Sequence, residues 1–391
     1  MAAPRVLLVT GAYYPEISAA GVQCRAVASA LGDRVRFSVL TTAVDRALPG
    51  VEVVDHVTVY RVQVDVRDPM SKARATVRLA ARLAATRHGY DVIHVHGFSN
   101  KNVPVAIVAR LFGKPVVLTL HTAGQDEPGV IRARGRAAYW AFTSADLVLS
   151  VSPHLSARYV DAALPRERLR MSPNGVETSR FRPADAAERL ALRRALGWPE
   201  AQPIVLFVGF FSRDKRPDLL FRAWRRPESL GAGSGAMLVY AGATARTYYE
   251  IDEAIAREIR EGAEEIGRRG QVLFVDPTND IDTCVRAADV FVLPSAREAH
   301  PLALLEAMAC GLPCIATRLP GATDVLITDG VNGRLFPVDD EAALASALGD
   351  VLRDPAAARV LGARARETVM QSYDIGETAQ RWLDAYRTVL T

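Results

Sequence analysis

The chain has 391 residues, 49% of them hydrophobic and 24% charged, a length that predicts two domains of roughly 180 residues each rather than one core. No apolar run approaches the roughly 20 residues that span a bilayer. The apolar stretch of MAAPRVLLVTGAYYP is too short for a signal peptide, so a cytoplasmic protein is expected. The net charge of +4 is uneven: residues 1–185 hold 24 Lys and Arg against 15 Asp and Glu, a surplus of +9, and the remainder holds 24 against 29, or −5. Lysine occurs at four positions, and Lys215 is the sole lysine of the second half. Cys24, Cys284, Cys310 and Cys314 form no CxxC pair and flank no histidine cluster, which points to buried free thiols rather than zinc or disulfides.

Short apolar, β-branched runs recur along the front half: VLLVT (6–10), FSVLTT (37–42), VTVYRV (57–62), DVIHVHG (91–97), PVVLTLH (115–121) and LVLSVS (147–152). Such runs, alternating with helical stretches of roughly 10–20 residues, predict a parallel sheet covered on both faces. No GxGxxG follows the first strand; Gly11 and Gly21 stand there instead, which argues against a dinucleotide oxidoreductase. SKARATVRLAARLAATRHG (71–89) sets Arg74, Arg78 and Arg82 on one helix face, and IRARGRAAYWAF (131–142) adds Arg132, Arg134 and Arg136 beside Trp140 and Phe142. Stripes of this kind are usually solvated, yet with the basic front half they suit an anionic membrane or a phosphorylated acceptor. Nucleic-acid binding is not expected, because the stripe lacks interleaved aromatics. In DVIHVHG, His94 and His96 are expected to point in different directions, at most one of them toward the pocket side, and both read as structural. His121 ends its strand at the crevice and is the better ligand contact.

A second strand series follows: PIVLFVG (203–209), AMLVYAGA (236–243), QVLFVD (271–276), DVFVLPS (289–295) and PCIAT (313–317). Two successive α/β series predict two doubly wound, Rossmann-like domains, 1–183 and 184–370, joined within NGVETSRFRPAD (174–185), with ligands beyond the carboxyl ends of the strands. GAGSGA (231–236) reads as a flexible loop, and the chain ends in a helical stretch containing ETAQRWLDAYRTVL.

Two segments of the second series carry chemistry. In FVGFFSRDKRPDLLFRAW (207–224) a strand ends at Gly209, and Arg213, Lys215 and Arg216 cluster before a helix starting near Pro217. Cations there are placed to hold a diphosphate, Lys215 as a point charge and Arg213 as a fork. In EAHPLALLEAMACG (298–311), Glu298 hangs in a strand-to-helix loop and Glu306 lies inside the helix. Eight residues along one helix separate backbones by roughly 12 Å, whereas glycosidase carboxylates lie about 5–5.5 or 6.5–9.5 Å apart. The pair therefore suits two parts of one ligand, as acceptors for hydroxyl groups. Pro301 is expected at the first helical position, with the amides of Ala299, His300, Leu302 and Ala303 open to a phosphate.

Together these segments, with YYPEISAAGVQ (13–23), SPNGVETSRFRP (172–183) and GATDVLITDGVNGRLFP (321–337), resemble the retaining glycosyltransferases of family 4, whose GT-B fold sets two Rossmann-like domains about a central cleft. The resemblance spans nearly the whole chain and is most specific in EAHPLALLEAMACGLPCIAT (298–317). It implies a nucleotide-sugar donor on the C-terminal domain and an acceptor on the N-terminal one. Glu306 then grips the ribose hydroxyls and Glu298 lies near the sugar. Arg213, Lys215 and the amides after Glu298 stabilise the leaving diphosphate, His121 touches the donor sugar near its anomeric carbon, and a glycine turn at Ala20-Gly21 lies near the phosphates. The last segment, 371–391, would return to the first domain. The chain departs from the common pattern at Gly209-Phe210 (usually Gly-Arg), Lys215-Arg216 (usually Lys-Gly), Pro301 (usually Gly) and Ala20-Gly21 (usually paired glycines).

The expected reaction moves a hexose-type sugar from UDP or GDP to a hydroxyl acceptor, lipid-linked, glycan or small molecule, with retention. No front-half carboxylate nucleophile stands out, so a same-face displacement is expected in which the departing phosphate takes the acceptor's proton. The cations replace a metal, and no cofactor is expected. The alternatives are a nucleotide-sugar-binding protein without transferase activity and a GT-B epimerase; a pyridoxal-dependent phosphorylase would need a lysine that the second half spends in the diphosphate loop.

Overall fold

In a computed structural model, residues 3–230, 235–244 and 251–391 are described; residues 231–234 of the GAGSGA loop lie outside them. The chain divides into two compact units, residues 1–175 with 375–391, and residues 176–374.

In the first unit the strands are β1 (Arg5–Thr10), β2 (Arg36–Ala43), β3 (Val51–Val54), β4 (Val57–Gln63), β5 (Val92–His96), β6 (Val116–Leu120), β7 (Leu147–Ser150) and β8 (Leu169–Met171). They pair in the order β3-β4-β2-β1-β5-β6-β7-β8, parallel except for the antiparallel β3–β4 hairpin. Every residue of β5 and β7 is buried, as strands covered on both faces require. The terminal helix Ile375–Leu390 belongs to this unit and buries Trp382, Leu383 and Tyr386 against Val6, Leu8 and Val92.

The second unit holds β9 (Ile204–Val208), β10 (Met237–Ala241), β11 (Val272–Val275), β12 (Val290–Leu293), β13 (Cys314–Thr317) and β14 (Arg334–Phe336), in the parallel order β11-β10-β9-β12-β13-β14. Alternation divides its core in two. Leu206, Val239, Phe291 and Ala316 pack on one face, Val205, Leu238, Val292 and Ile315 on the other. The domain boundary read at 183/184 falls at 175/176. Val176 bridges to Asp374, its amide donating to Tyr373 O at 2.9 Å, and Phe181 enters the second core, so residues 176–183 and 371–374 pack with the second unit. All four cysteines are free and buried. No helix among the described residues is long and apolar enough to cross a membrane.

One close approach fixes the far end of the helix Leu302–Ala309. The helix Pro355–Ser372 crosses the following turn so tightly that a Cβ on Gly362 would stand 2.0 Å from Gly311 O. Arg366 on the same helix donates to Ala309 O and to Phe181 O. Gly362→Ala should therefore cost about 1–3 kcal/mol through forced backbone displacement. Urea unfolding of the variant checks this; an unchanged midpoint would show that the turn yields freely.

Candidate functional site

β9 and β12 are neighbours that send the chain to opposite faces of the sheet. β9 leads to the helix Pro217–Trp224, whose Leu219, Leu220 and Trp224 join one core; β12 leads to Leu302–Ala309, whose Leu304, Leu305 and Met308 join the other. Such a reversal of strand order leaves a crevice at the carboxyl ends, where open α/β sheets bind ligands. The two loops that carry the sequence-derived candidates run side by side there. Ala296 N donates to Asp214 O at 2.7 Å, Arg297 pairs with Asp214, and Lys215 Nζ meets Glu298 Oε1 at 2.6 Å. Gly209 continues the β-ladder, its amide donating to Ala241 O, and its carbonyl lies 2.0 Å from where a Cβ on Gly242 would stand.

The helix Leu302–Ala309 has Pro301 as its N-cap in extended conformation, φ −71° and ψ 115°, so Pro301 precedes the helix rather than opening it. The ring fixes only φ, and here the backbone enters the helix one residue later. Pro301 offers no side-chain cap. The amides of Ala299, Leu302, Ala303 and Leu304 consequently meet no acceptor among the described residues, at the end where the helix dipole attracts an anion. His300 is buried with its ring 5.2 Å from that of Tyr373, and burial lowers its pKa to about 3.

Glu306 lies on this helix at 8% exposure. Its carboxyl oxygens make no hydrogen bond among the described residues. Burial raises its pKa to about 7 against the opposing pull of Arg180, and Arg180 is itself engaged by Asp282 at 2.7 Å and by Asn279 O. A desolvated carboxylate left without donors is costly, and it is the group a vicinal diol would satisfy.

Three candidates fall elsewhere. Arg213 does not converge on Lys215: its side chain is 89% exposed and pairs with Asp252 at 3.2 Å. Arg216 is occupied by Asp339 and Asp218. Gly21 belongs to the first turn of the helix Ala19–Leu31 and not to a glycine turn. Its amide donates to the Ser18 cap at 3.0 Å, and a Cβ there would stand 2.5 Å from Ala12 O, so glycine lets the helix start against the exit of β1.

In the first unit, His121 follows β6 directly. The buried Asp126 accepts the amides of His121 (2.7 Å) and Thr122 (2.9 Å) on one oxygen and that of Phe98 (2.7 Å) on the other, tying the β5 and β6 exits together. Burial raises the Asp126 pKa and these amides oppose the rise. His96 Nδ1 lies 3.0 Å from His121 Nε2. The expectation that His94 and His96 point in different directions fails: residues two apart on a strand share a face, and their ring centroids are 4.1 Å apart. Asp126 went unnoticed in the sequence, although an acid five residues past a strand-ending histidine was a usable signal. Tyr386, which meets His94 Nδ1 at 2.8 Å, gave none.

Residues 20–180 match the family model Glycosyltransferase Family 4, and residues 188–368 match Glycosyl transferases group 1. The D-inositol 3-phosphate glycosyltransferase of Acidothermus cellulolyticus is 33% identical over 347 residues, 82% of this chain and 74% of that one. The chain belongs to glycosyltransferase family 4. A second relative of this enzyme, the alpha-maltose-1-phosphate synthase of Mycolicibacterium smegmatis, is 29% identical over 76% of this chain and 79% of its own. HepE of Anabaena, solved with UDP and glucose, superposes with a TM-score of 0.80 at 20% identity over 98% of this chain and 100% of that one. Sucrose-phosphate synthase of Thermosynechococcus elongatus gives 0.79 at 23% identity over 98% of each chain. The fold is GT-B, with two parallel-sheet units, as the sequence led us to expect.

The free glycosyltransferase bears a stability cost at Glu306. Its folded pKa of about 7 stands above the unfolded 4.5, so between these values the unfolded chain holds fewer protons and stability falls as pH rises, by up to roughly 3 kcal/mol. Glu306→Gln should raise the Tm more at pH 8 than at pH 5. Equal shifts at both, measured by calorimetry, would show that the carboxyl is not desolvated.

Proposed function

We propose that this family 4 enzyme transfers a hexose-type sugar, with retention, from UDP or GDP to a hydroxyl acceptor, and that the second unit holds the donor. The observation that carries this reading is Glu306, a buried carboxylate without a donor, on a helix whose first amides are open and whose preceding loop brings Glu298 to Lys215. Ribose hydroxyls satisfy Glu306. The open amides of Ala299, Leu302 and Ala303, with His300 beside them, take the diphosphate together with Lys215, and Glu298 moves from Lys215 to a hydroxyl of the sugar. Arg213 joins the diphosphate only by leaving Asp252. His121 serves the transferred sugar. The known complex of HepE with UDP and glucose supports a nucleotide-sugar donor for this fold.

Chemistry then rests on positioning and on positive charge fixed where the leaving diphosphate develops its own. Lys215 and the helix terminus supply that charge, so the reaction runs without a divalent metal. The leaving phosphate, on the face the acceptor attacks, takes the acceptor's proton. Lys215→Ala should lower donor turnover more than tenfold with an unchanged Tm, and wild-type turnover should survive EDTA. The released sugar, followed by proton NMR, should first appear with the donor's anomeric configuration. Wild-type turnover abolished by EDTA would overturn the metal-free mechanism. Tight nucleotide binding with no turnover across UDP and GDP sugars would leave only a binding protein.

The acceptor we assign to the first unit is anionic. Lys101 is part-buried after β5, reaches among the described residues only Thr42 Oγ1 at 3.4 Å, and is lowered by burial to a pKa of about 8. The names of two relatives, D-inositol 3-phosphate glycosyltransferase and alpha-maltose-1-phosphate synthase, each carry a phosphorylated substrate or product and support this. A lipid-linked acceptor also accounts for the exposed row Arg74, Arg78 and Arg82 beside Val77, 69% exposed, and Met70, 61% exposed. Co-sedimentation with vesicles containing acidic lipid, but not with neutral ones, is the expected result; absence from both pellets removes the membrane contact.

A further inference from the structure

Three imidazoles and two hydroxyls form a ladder in the first unit. Tyr386 OH lies 2.8 Å from His94 Nδ1, and His94 Nε2 lies 2.7 Å from Thr119 Oγ1. The His94 ring stands 4.1 Å from that of His96, and His96 lies 5.2 Å from His121 between ring centroids. Trp382 closes the ladder, 4.6 Å from His94 and 4.9 Å from His96. Burial lowers the pKa of all three histidines, that of His121 to about 4, so each is neutral.

Neutral imidazoles have one N–H each, and the 3.0 Å bond between His96 Nδ1 and His121 Nε2 holds one proton. Two arrangements exist. If His121 Nε2 carries it, His96 must carry its own on Nε2, an atom sealed from solvent with no hydrogen-bond partner. If His96 Nδ1 carries it, that sealed atom is only an unused lone pair. Burying an unpaired N–H is the costlier of the two; unpaired buried donors are the rarer class among backbone groups for the same reason. His94 does not alter the choice, because a hydroxyl at each of its nitrogens can donate or accept.

We infer that His96 is a positioning residue that donates from Nδ1 to His121 Nε2, so that His121 keeps its proton on Nδ1 and serves the transferred sugar as a hydrogen-bond donor, not as a base. His121 Nδ1 makes no hydrogen bond among the described residues and, unlike His96 Nε2, is not a sealed atom. The partner it fits is an oxygen with a free lone pair, such as a sugar hydroxyl. The inference rests on the assignment of His121 to the sugar made above, but the tautomer itself is readable without any substrate.

Selective 15N-histidine labelling and two-bond 1H–15N spectra of the full chain distinguish the tautomers, with His121 assigned from His121→Gln. The expected wild-type result is His121 protonated at Nδ1. His96→Phe should shift that population and lower kcat for donor hydrolysis roughly tenfold or more while KM for the donor stays within about twofold. His96→Asn, whose side-chain amide replaces Nδ1 and can donate, should restore both readings. A wild-type His121 protonated at Nε2 overturns the inference, and this reading needs no variant to fold. A folded His96→Phe with unchanged tautomer and kcat also overturns it. Absence of turnover in wild type, with Nδ1–H intact, would instead count against the proposed reaction.

Discussion

The approach of Lys215 to Glu298 follows from the order of the strands. β9 and β12 pair side by side although about 80 residues separate them in the chain, and their exits turn to opposite faces. Everything that follows those exits is therefore brought to one point: a lysine from one loop, a glutamate from the next, and the open end of a helix. The 2.6 Å pair is only partly screened, with Glu298 at 8% side-chain exposure and Lys215 at 31%. A pair of this kind stabilises the free state weakly, because desolvation offsets most of the attraction. That weakness suits exchange. In the proposed reading a diphosphate takes the lysine, and the released carboxylate accepts from a hydroxyl of the sugar.

Glu306 shows the opposite logic. No described residue of the second unit hydrogen-bonds its carboxyl, and Arg180, whose charge opposes the shift, is already committed to Asp282. A site that stays unsatisfied until its ligand arrives concentrates the free-energy gain in the binding step. The unit tolerates the penalty because the remainder of that helix is deeply buried, with Leu304, Leu305, Ala307 and Met308 at 0% exposure, and because its far end is pinned by Arg366 and the Gly311–Gly362 approach. Rigidity at one end of the helix keeps amides and carboxylate aimed at the other.

Much of this was legible in the chain. Each long buried strand announces itself as an apolar run, and both site loops stand out because they follow such runs. The strands without such a run, β3, β8 and β14, are three or four residues long and lie at sheet edges, with two of four residues of β3 and two of three of β8 exposed. Periodicity has too few residues there to register. The basic loop was read as one cluster because sequence proximity does not say which cation has an acid nearby; Arg213 finds Asp252 and Arg216 finds Asp339, partners 39 and 123 residues away. The boundary at 175 is hidden for a similar reason: Val176 and Phe181 join the second core, and Val176 bridges to Asp374, far along the chain.

The terminal helix illustrates the strongest form of that limit. ETAQRWLDAYRTVL reads as an amphipathic helix and nothing more, yet Trp382 and Tyr386, one turn apart, are the residues that cover His94 and His96 from water. Without that cover His94 and His96 would hydrate, either ring nitrogen could find a water, and no single tautomer would be preferred. Burial therefore does more here than add apolar area. By removing water as an alternative partner it converts a hydrogen-bond geometry into a protonation pattern, and it carries that pattern from the last helix of the chain, through β5, to His121 at the end of β6.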